Sequence, residues 1–269
     1  MKRVIHYALL LMAIAIPLSV IVPRMGIYAT PYYTDDVYKS LERAFNKSQY
    51  RIKENPSIIP DETLFSYVAG AYLSGMDPIM ANSEHTPLGK YFLAFSIFLF
   101  RNDKTIILFF ALLSGFGIWL LGKRVLNDGT VALVPVLLTA ADALFRNQLV
   151  TVPLLDIIQL PFIYLSLVAF LSERKRAVFF WTAFSLGCVM ATKTIVPGLL
   201  LMLCMAGLLF IRKEYPNVLR FLCWLPVSAA VFTATYARTF LNGYTVMDFI
   251  GFQKWIFLYQ KSKLIYPFS

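Results

Sequence analysis

A chain of 269 residues that is 58% hydrophobic and only 15% charged lacks the polar surface a soluble domain of its length needs, so a bilayer is its expected solvent. Its formal charge of +10 does not point to nucleic acid, because the basic residues cluster between apolar runs, as cytoplasmic loops do. Cys188, Cys204 and Cys223 all lie within apolar runs without metal-ligand spacing, which reads as buried thiols.

Apolar runs of near-spanning length fall at about 4–23, 105–122, 130–145, 150–171, 177–192, 195–212 and 218–237. The first follows Met1-Lys2-Arg3 and is not followed by a small-x-small cleavage site, so a retained helix is expected rather than a signal peptide. Lys2-Arg3, Lys123-Arg124, Arg174-Lys175-Arg176 and Arg212-Lys213 are each separated by two crossings. A seven-helix count with a cytoplasmic N-terminus puts them all on one side. The other side then holds a long first loop (24–104), the turns at Arg146-Asn147-Gln148 and Thr192-Lys193-Thr194, and a tail (238–269).

Within the long loop, Val37, Leu41 and Phe45 share one helical face over Asp35–Phe45, and a second amphipathic stretch is expected over Asp61–Leu73. The segment 46–60 is polar, contains Pro56 and Pro60, and reads as loop. The apolar run 88–100 is too short to span comfortably and is expected to be an interfacial helix. The tail from Phe249 to Phe268 interleaves aromatics with Gln253, Lys254, Gln260, Lys261 and Lys263, again an interfacial pattern.

The candidate chemistry crowds the outer side. Asp35 and Asp36 are adjacent carboxylates beside Tyr32, Tyr33 and Tyr38; one could serve as a base, although Thr34 and Asp35 also suit a helix cap. His85 and Lys90 flank Pro87 at a helix start that favours phosphate, or else are an interfacial polar group and a snorkelling amine. Asp156 is an ionisable group near the outer end of an apolar run, with Arg146 or Lys193 as partner. Lys193 alternatively reads as an interface anchor. The sequence has no P-loop, GxGxxG, GxSxG or Cys/His metal cluster, which argues against nucleotide-driven pumps and common hydrolases.

Taken in order, these segments resemble the GT-C membrane glycosyltransferases, specifically the protein O-mannosyltransferase family and its relatives, which include the lipid A aminoarabinose transferases. Thr34-Asp35-Asp36-Val37-Tyr38 looks like the acidic motif of the first outer loop, usually Asp-Glu. Glu84-His85-Thr86-Pro87-Leu88-Gly89-Lys90 is similar to His-Pro-Pro-Leu-Gly-Lys, with Thr86 in place of the first Pro. Leu144 to Asp156 resembles the segment joining the third and fourth helices, and Ala191-Thr192-Lys193 the Thr-Lys after the fifth. Tyr259 through Tyr266-Pro267-Phe268-Ser269 is similar to a later Tyr, spacer, His-Pro-Tyr-Ser segment.

The resemblance implies an all-α, polytopic GT-C fold of about seven transmembrane helices, forming a single module over 1–269 with interfacial helices in its first outer loop. It implies inverting transfer of a mannose-like sugar from a polyprenyl- or dolichyl-phosphate donor to a hydroxyl of a protein, lipid or glycan acceptor on the extracytoplasmic or lumenal face. Asp35 would be the general base and Asp36 would position acceptor or sugar. His85, Lys90 and Lys193 would stabilise the phosphate leaving group, with Asp156 orienting them. The Arg that the family carries early in its second helix is absent from Ile106-Ile107-Leu108-Phe109-Phe110, so Arg101 or Lys104 would substitute, and Arg146 joins the donor-side set. The family continues beyond the point matched by Ser269, so a fragment or shortened member is expected. No obligatory cofactor is expected; a divalent ion beside Asp35 and Asp36 is compatible with the pair. Expected partners are the sugar donor, its acceptor, membrane lipid and, left open, further copies in an oligomer. Two alternatives stand beside this one: a transporter or flippase of lipid-linked sugars, and a non-catalytic truncated paralogue acting as an assembly partner.

Overall fold

A computed structural model describes residues 2–52, 54–172 and 176–263. Among them the chain is helical throughout, and the one β-bridge, Ser48 to Ser57, stands alone in a loop. The helices are α1 (Lys2–Ile21), α2 (Met25–Ala29), α3 (Asp35–Asn46), α4 (Asp61–Leu73), α5 (Pro78–Ala81), α6 (Leu88–Phe100), α7 (Thr105–Leu126) and α8 (Leu133–Ala141). They continue with α9 (Ala143–Gln148), α10 (Leu155–Phe170), α11 (Arg176–Thr192), α12 (Ile195–Ile211), α13 (Tyr215–Ala234), α14 (Ala237–Leu241) and α15 (Val246–Lys263).

Among the described residues, three helical stretches are long and apolar enough to cross a membrane: Arg3–Ala29, Thr105–Leu126 and Tyr215–Ala234. Their outward side chains are apolar. Leu11 is 68% exposed, Leu112 75% and Leu219 65%, an arrangement that suits lipid and not water. The helices α10, α11 and α12 have 16, 17 and 17 residues. At ~1.5 Å per residue they reach about 24–26 Å, short of a ~30 Å hydrocarbon core.

Two expectations are corrected. The run 130–145 is not one helix. Asp142 is extended (φ −60°, ψ 132°), and its carboxylate accepts from the Phe145 amide at 2.9 Å, so it ends α8 and caps α9. A side chain that caps a new helix competes with continuing the old one. The stretch Asp61–Leu73 has the expected bounds but is not an amphipathic surface helix. Nine consecutive residues, Leu64 to Tyr72, are buried. The segment Leu64-Phe65-Ser66-Tyr67-Val68-Ala69-Gly70-Ala71-Tyr72 has no polar face, and α3 and α6 both pack on it.

The packing order runs α1 on α8, α8 on α7, α7 on α10, α10 on α11, and α11 on α12 and α13. Small residues and interhelical hydrogen bonds hold these contacts, as expected in a bilayer. A Cβ on Gly187 of α11 would meet the Ser228 carbonyl of α13 at 2.8 Å. Ser228 Oγ donates to Ala183 O at 2.6 Å, and Gln159 Nε2 of α10 donates to Val189 O of α11 at 2.8 Å.

The connections gather at two ends. At one, His6 pairs with Thr130 at 3.1 Å and Trp119 Nε1 donates to Gly129 O at 3.2 Å. This places the start of α1 beside the turn that follows Lys123-Arg124. At the other, the Tyr28 hydroxyl donates to Leu149 O, Thr86 N to Lys193 O at 3.0 Å, and Arg238 to Tyr72 O at 2.7 Å. Asp77, at the α4–α5 turn, accepts from Thr239 at 3.0 Å and Asn242 at 2.9 Å, which ties α14 to the same end.

Candidate functional site

The site begins with the entry to α6. Pro87 starts the helix, and Gly89 lets it approach the end of α11 and the start of α10: a Cβ on Gly89 would stand 2.7 Å from Thr192 O and 2.9 Å from Leu155 Cδ2. The Thr86 amide donates to the carbonyl of Lys193. Segment 84–90 and segment 191–193, more than a hundred residues apart in sequence, are thereby joined backbone to backbone.

Lys193 follows α11, and Asp156 lies in the first turn of α10. Nζ of Lys193 is 2.7 Å from each carboxylate oxygen of Asp156, with the two side chains 25% and 39% exposed. Of the two partners expected for Asp156, Lys193 is the one that binds it. Asp61, the first residue of α4, shares their field. Burial pushes its carboxyl above the ordinary value; Lys193 opposes that shift, while Asp156, Glu62 and Glu84 add to it. Lys193 is thus ion-paired with Asp156, and Asp61 lies within the electrostatic reach of both.

Lys90 takes a different place from the one expected. It is fully buried, and its ammonium donates to Asn82 O at 3.3 Å, Asn82 Oδ1 at 3.0 Å and His85 O at 2.6 Å. An ammonium has three protons, so its donors are occupied within the protein. Burial holds it well below the usual amine range, and the Glu84 carboxylate acts in the other direction. Lys90 thus staples the 82–85 segment in place. The His85 ring lies 5.3 Å from the Phe65 ring, one turn into α4, so Glu84 and His85 border the group around Asp61.

Asp35 and Asp36 belong to a second group. Both are exposed in the first turn of α3, where Thr34 is the cap, its hydroxyl accepting from Val37 N at 3.4 Å. The carbonyl of Arg101 receives the amides of Tyr32 and Tyr33 at 3.0 and 2.9 Å. Arg101 itself is left-handed (φ 53°), ends α6, and exposes its side chain. The Tyr32 hydroxyl donates to Asp103, and Lys104 lies 4.5 Å over the Tyr32 ring. Asp103 is fully buried, which raises its carboxyl above the ordinary value. Tyr33 donates to Ser66 O at 2.8 Å. Both groups therefore meet α4, one at Asp61 and one at Ser66, separated by about 7.5 Å of helix axis. Arg146 is exposed on α9. The segment Tyr266-Pro267-Phe268-Ser269 lies outside the described residues. Among the described residues no three of His, Cys, Asp and Glu are grouped to hold a metal ion.

Asp61 is the residue that reading the sequence missed. Its signal was present: Asp61-Glu62 is an Asp-Glu pair in the same long loop, overlooked because the stretch read as the start of an amphipathic helix. Compared with protein-family models, curated proteins and solved structures, the chain matches none.

Proposed function

We propose that this chain is a membrane glycosyltransferase of the GT-C type, moving a sugar from a polyprenyl-phosphate donor to a hydroxyl acceptor. The observation that carries the proposal is the Lys193–Asp156 pair, held beside Asp61, Glu84 and His85 by the contact of Gly89 with Thr192. The chemistry asks for those parts. The acceptor oxygen attacks the anomeric carbon, its proton passes to a carboxylate, and the bond from that carbon to the phosphate oxygen breaks in line. Charge grows on the departing phosphate, and a fixed cation such as Lys193 stabilises it there without giving a proton.

Two carboxylates compete for the proton. The resemblance assigns it to Asp35. The geometry favours Asp61, which is half-buried beside the cation, whereas Asp35 is exposed. In this proposal seven apolar runs cross the bilayer, one as the broken pair α8–α9 and three as the short helices α10–α12 in a locally thinned bilayer, with the N-terminus cytoplasmic and the site extracytoplasmic. Support comes from the two ends of the molecule: the start of α1 meets the turn after Lys123-Arg124, while the long loop, Lys193 and α14 meet at the other.

The test is transfer of radiolabelled sugar from polyprenyl-phosphate donors in membranes containing the chain, or its Asp61→Asn or Asp35→Asn form. Label transfer that one of the two substitutions abolishes, with the protein still inserted, supports the enzyme and names the base. Absence of transfer from every donor removes the proposal.

A further inference from the structure

Beside the ionised group lies a cleft of about 410 Å³, within the ~300–1,000 Å³ span of small-molecule sites. Three segments line it: Phe45, Tyr50 and Arg51 from the end of α3 and its loop, Asn82 and Glu84 from the turn before α6, and Trp255 from α15. Each is anchored independently. Tyr50 stacks on Phe45 at 6.3 Å, and Arg51 lies 5.3 Å over the same ring. The loop behind them is pinned by Gln49, whose amide exchanges two 3.0 Å hydrogen bonds with Ile59. Asn82 is fixed by Lys90. The α15 helix is seated through Phe249, 5.1 Å from the Tyr236 ring and 5.4 Å from Phe240.

The lining selects a ligand. A hydrocarbon chain would set apolar atoms against the polar lining of Arg51, Asn82 and Glu84, which is unfavourable. A simple anion would meet the Glu84 carboxylate. A pyranose suits both halves: its C–H face is apolar and can lie on the indole of Trp255, while its hydroxyls both donate and accept. Trp255 is 47% exposed, and the other tryptophans, Trp119, Trp181 and Trp224, lie on α7, α11 and α13. Glu84 links the cleft to the reacting groups: it lines the cleft two residues before Thr86, whose amide donates to the Lys193 carbonyl at 3.0 Å.

We infer that this cleft binds a saccharide, and that among protein, lipid and glycan acceptors the hydroxyl donor is a glycan. The second half of that statement rests on the transferase proposal; the first does not.

The experiment is saturation-transfer NMR on the full chain in lipid nanodiscs, free of sugar detergents, titrated with methyl glycosides and disaccharides. The expected result is magnetisation transfer to sugar C–H protons, falling at least about fivefold, or ~1 kcal/mol of binding, in Trp255→Ala and in Arg51→Ala. Asp61→Asn should still bind sugar. Melting midpoints establish that the variants are folded, and Trp255→Phe, which keeps an aromatic ring, should retain part of the signal. No transfer to any sugar from the wild type overturns the inference, as does a signal unchanged in both alanine variants. A cleft-dependent signal from serine- or threonine-containing peptides in place of sugars overturns it too. Sugar binding without turnover from any donor keeps the cleft and removes the transferase; turnover with an acceptor KM unmoved by the cleft variants does the reverse.

Discussion

Gly89 stands so close to the end of α11 that a single added carbon would come within 2.7 Å of the Thr192 carbonyl oxygen. The obstacle is backbone and cannot rotate aside. Gly89→Ala should therefore push α6 away from Lys193 at a cost of about 1–3 kcal/mol, the usual range for overpacking. Gly115, within α7, has nothing within 4 Å of its added Cβ, so Gly115→Ala should be neutral or stabilising by up to about 1 kcal/mol. Thermal melts of the two variants in one nanodisc preparation compare them directly. Equal midpoints would mean that the α6–α11 contact is looser than described.

That contact also shows which parts of the molecule were legible in the sequence. Helix bounds were readable wherever composition changed sharply: 88–100 and Asp61–Leu73 came out as helices because Pro, Gly and charged residues fence them. The joining of segment 84–90 to Lys193 was readable only as a shared side, since periodicity carries no information about which loops touch. Burial was the weak point. The α4 stretch looked half-exposed because Asp61, Glu62 and Thr63 head it, yet everything from Leu64 to Tyr72 is covered. The burial of Lys90 was not readable for the same reason: a lysine in a sequence reads as a surface cation, and only the positions of Asn82 and His85 show where its protons are directed.

Lys90→Met tests that second point. Methionine fills similar volume and removes three donors, leaving the Asn82 and His85 carbonyls facing a thioether. The expected loss is about 1–3 kcal/mol, concentrated in the 82–86 segment. Limited proteolysis should cut that segment faster in the variant. A phosphate-binding role for Lys90 predicts instead a stable protein with donor KM raised and the protease pattern unchanged.

Arg101 separates side chain from backbone. Its carbonyl anchors Tyr32 and Tyr33, and its left-handed backbone is one that glycine adopts without strain. Arg101→Gly should keep the melting midpoint within a few degrees, a change of about 1 kcal/mol or less, because the anchoring carbonyl remains. A rise in donor KM in that folded variant would assign the guanidinium to the donor phosphate. An unchanged KM would leave Arg101 as a helix terminator.

Asp61 gives the sharpest pH signature. Burial raises its carboxyl above the ordinary value, so as a base it works only once pH passes that elevated point, and the acid limb of the rate profile should lie above the usual carboxylate range. Lys193→Met removes the influence that opposes the shift. The limb should then move to higher pH, and the plateau rate should fall about 10²–10³-fold as the leaving phosphate loses its cation. Asp156→Asn removes a charge that raises Asp61, so its limb should move to lower pH. Stability runs the other way from activity. A carboxyl raised in the folded state contributes stability at pH below its unfolded value and loses that contribution as pH climbs through the folded one. Asp61→Asn should accordingly melt no lower than wild type near neutral pH while transfer is lost. Opposite displacement of the acid limb by the Lys193 and Asp156 substitutions is the pattern to look for; a limb that neither substitution moves would exclude Asp61 as the base and return that role to Asp35.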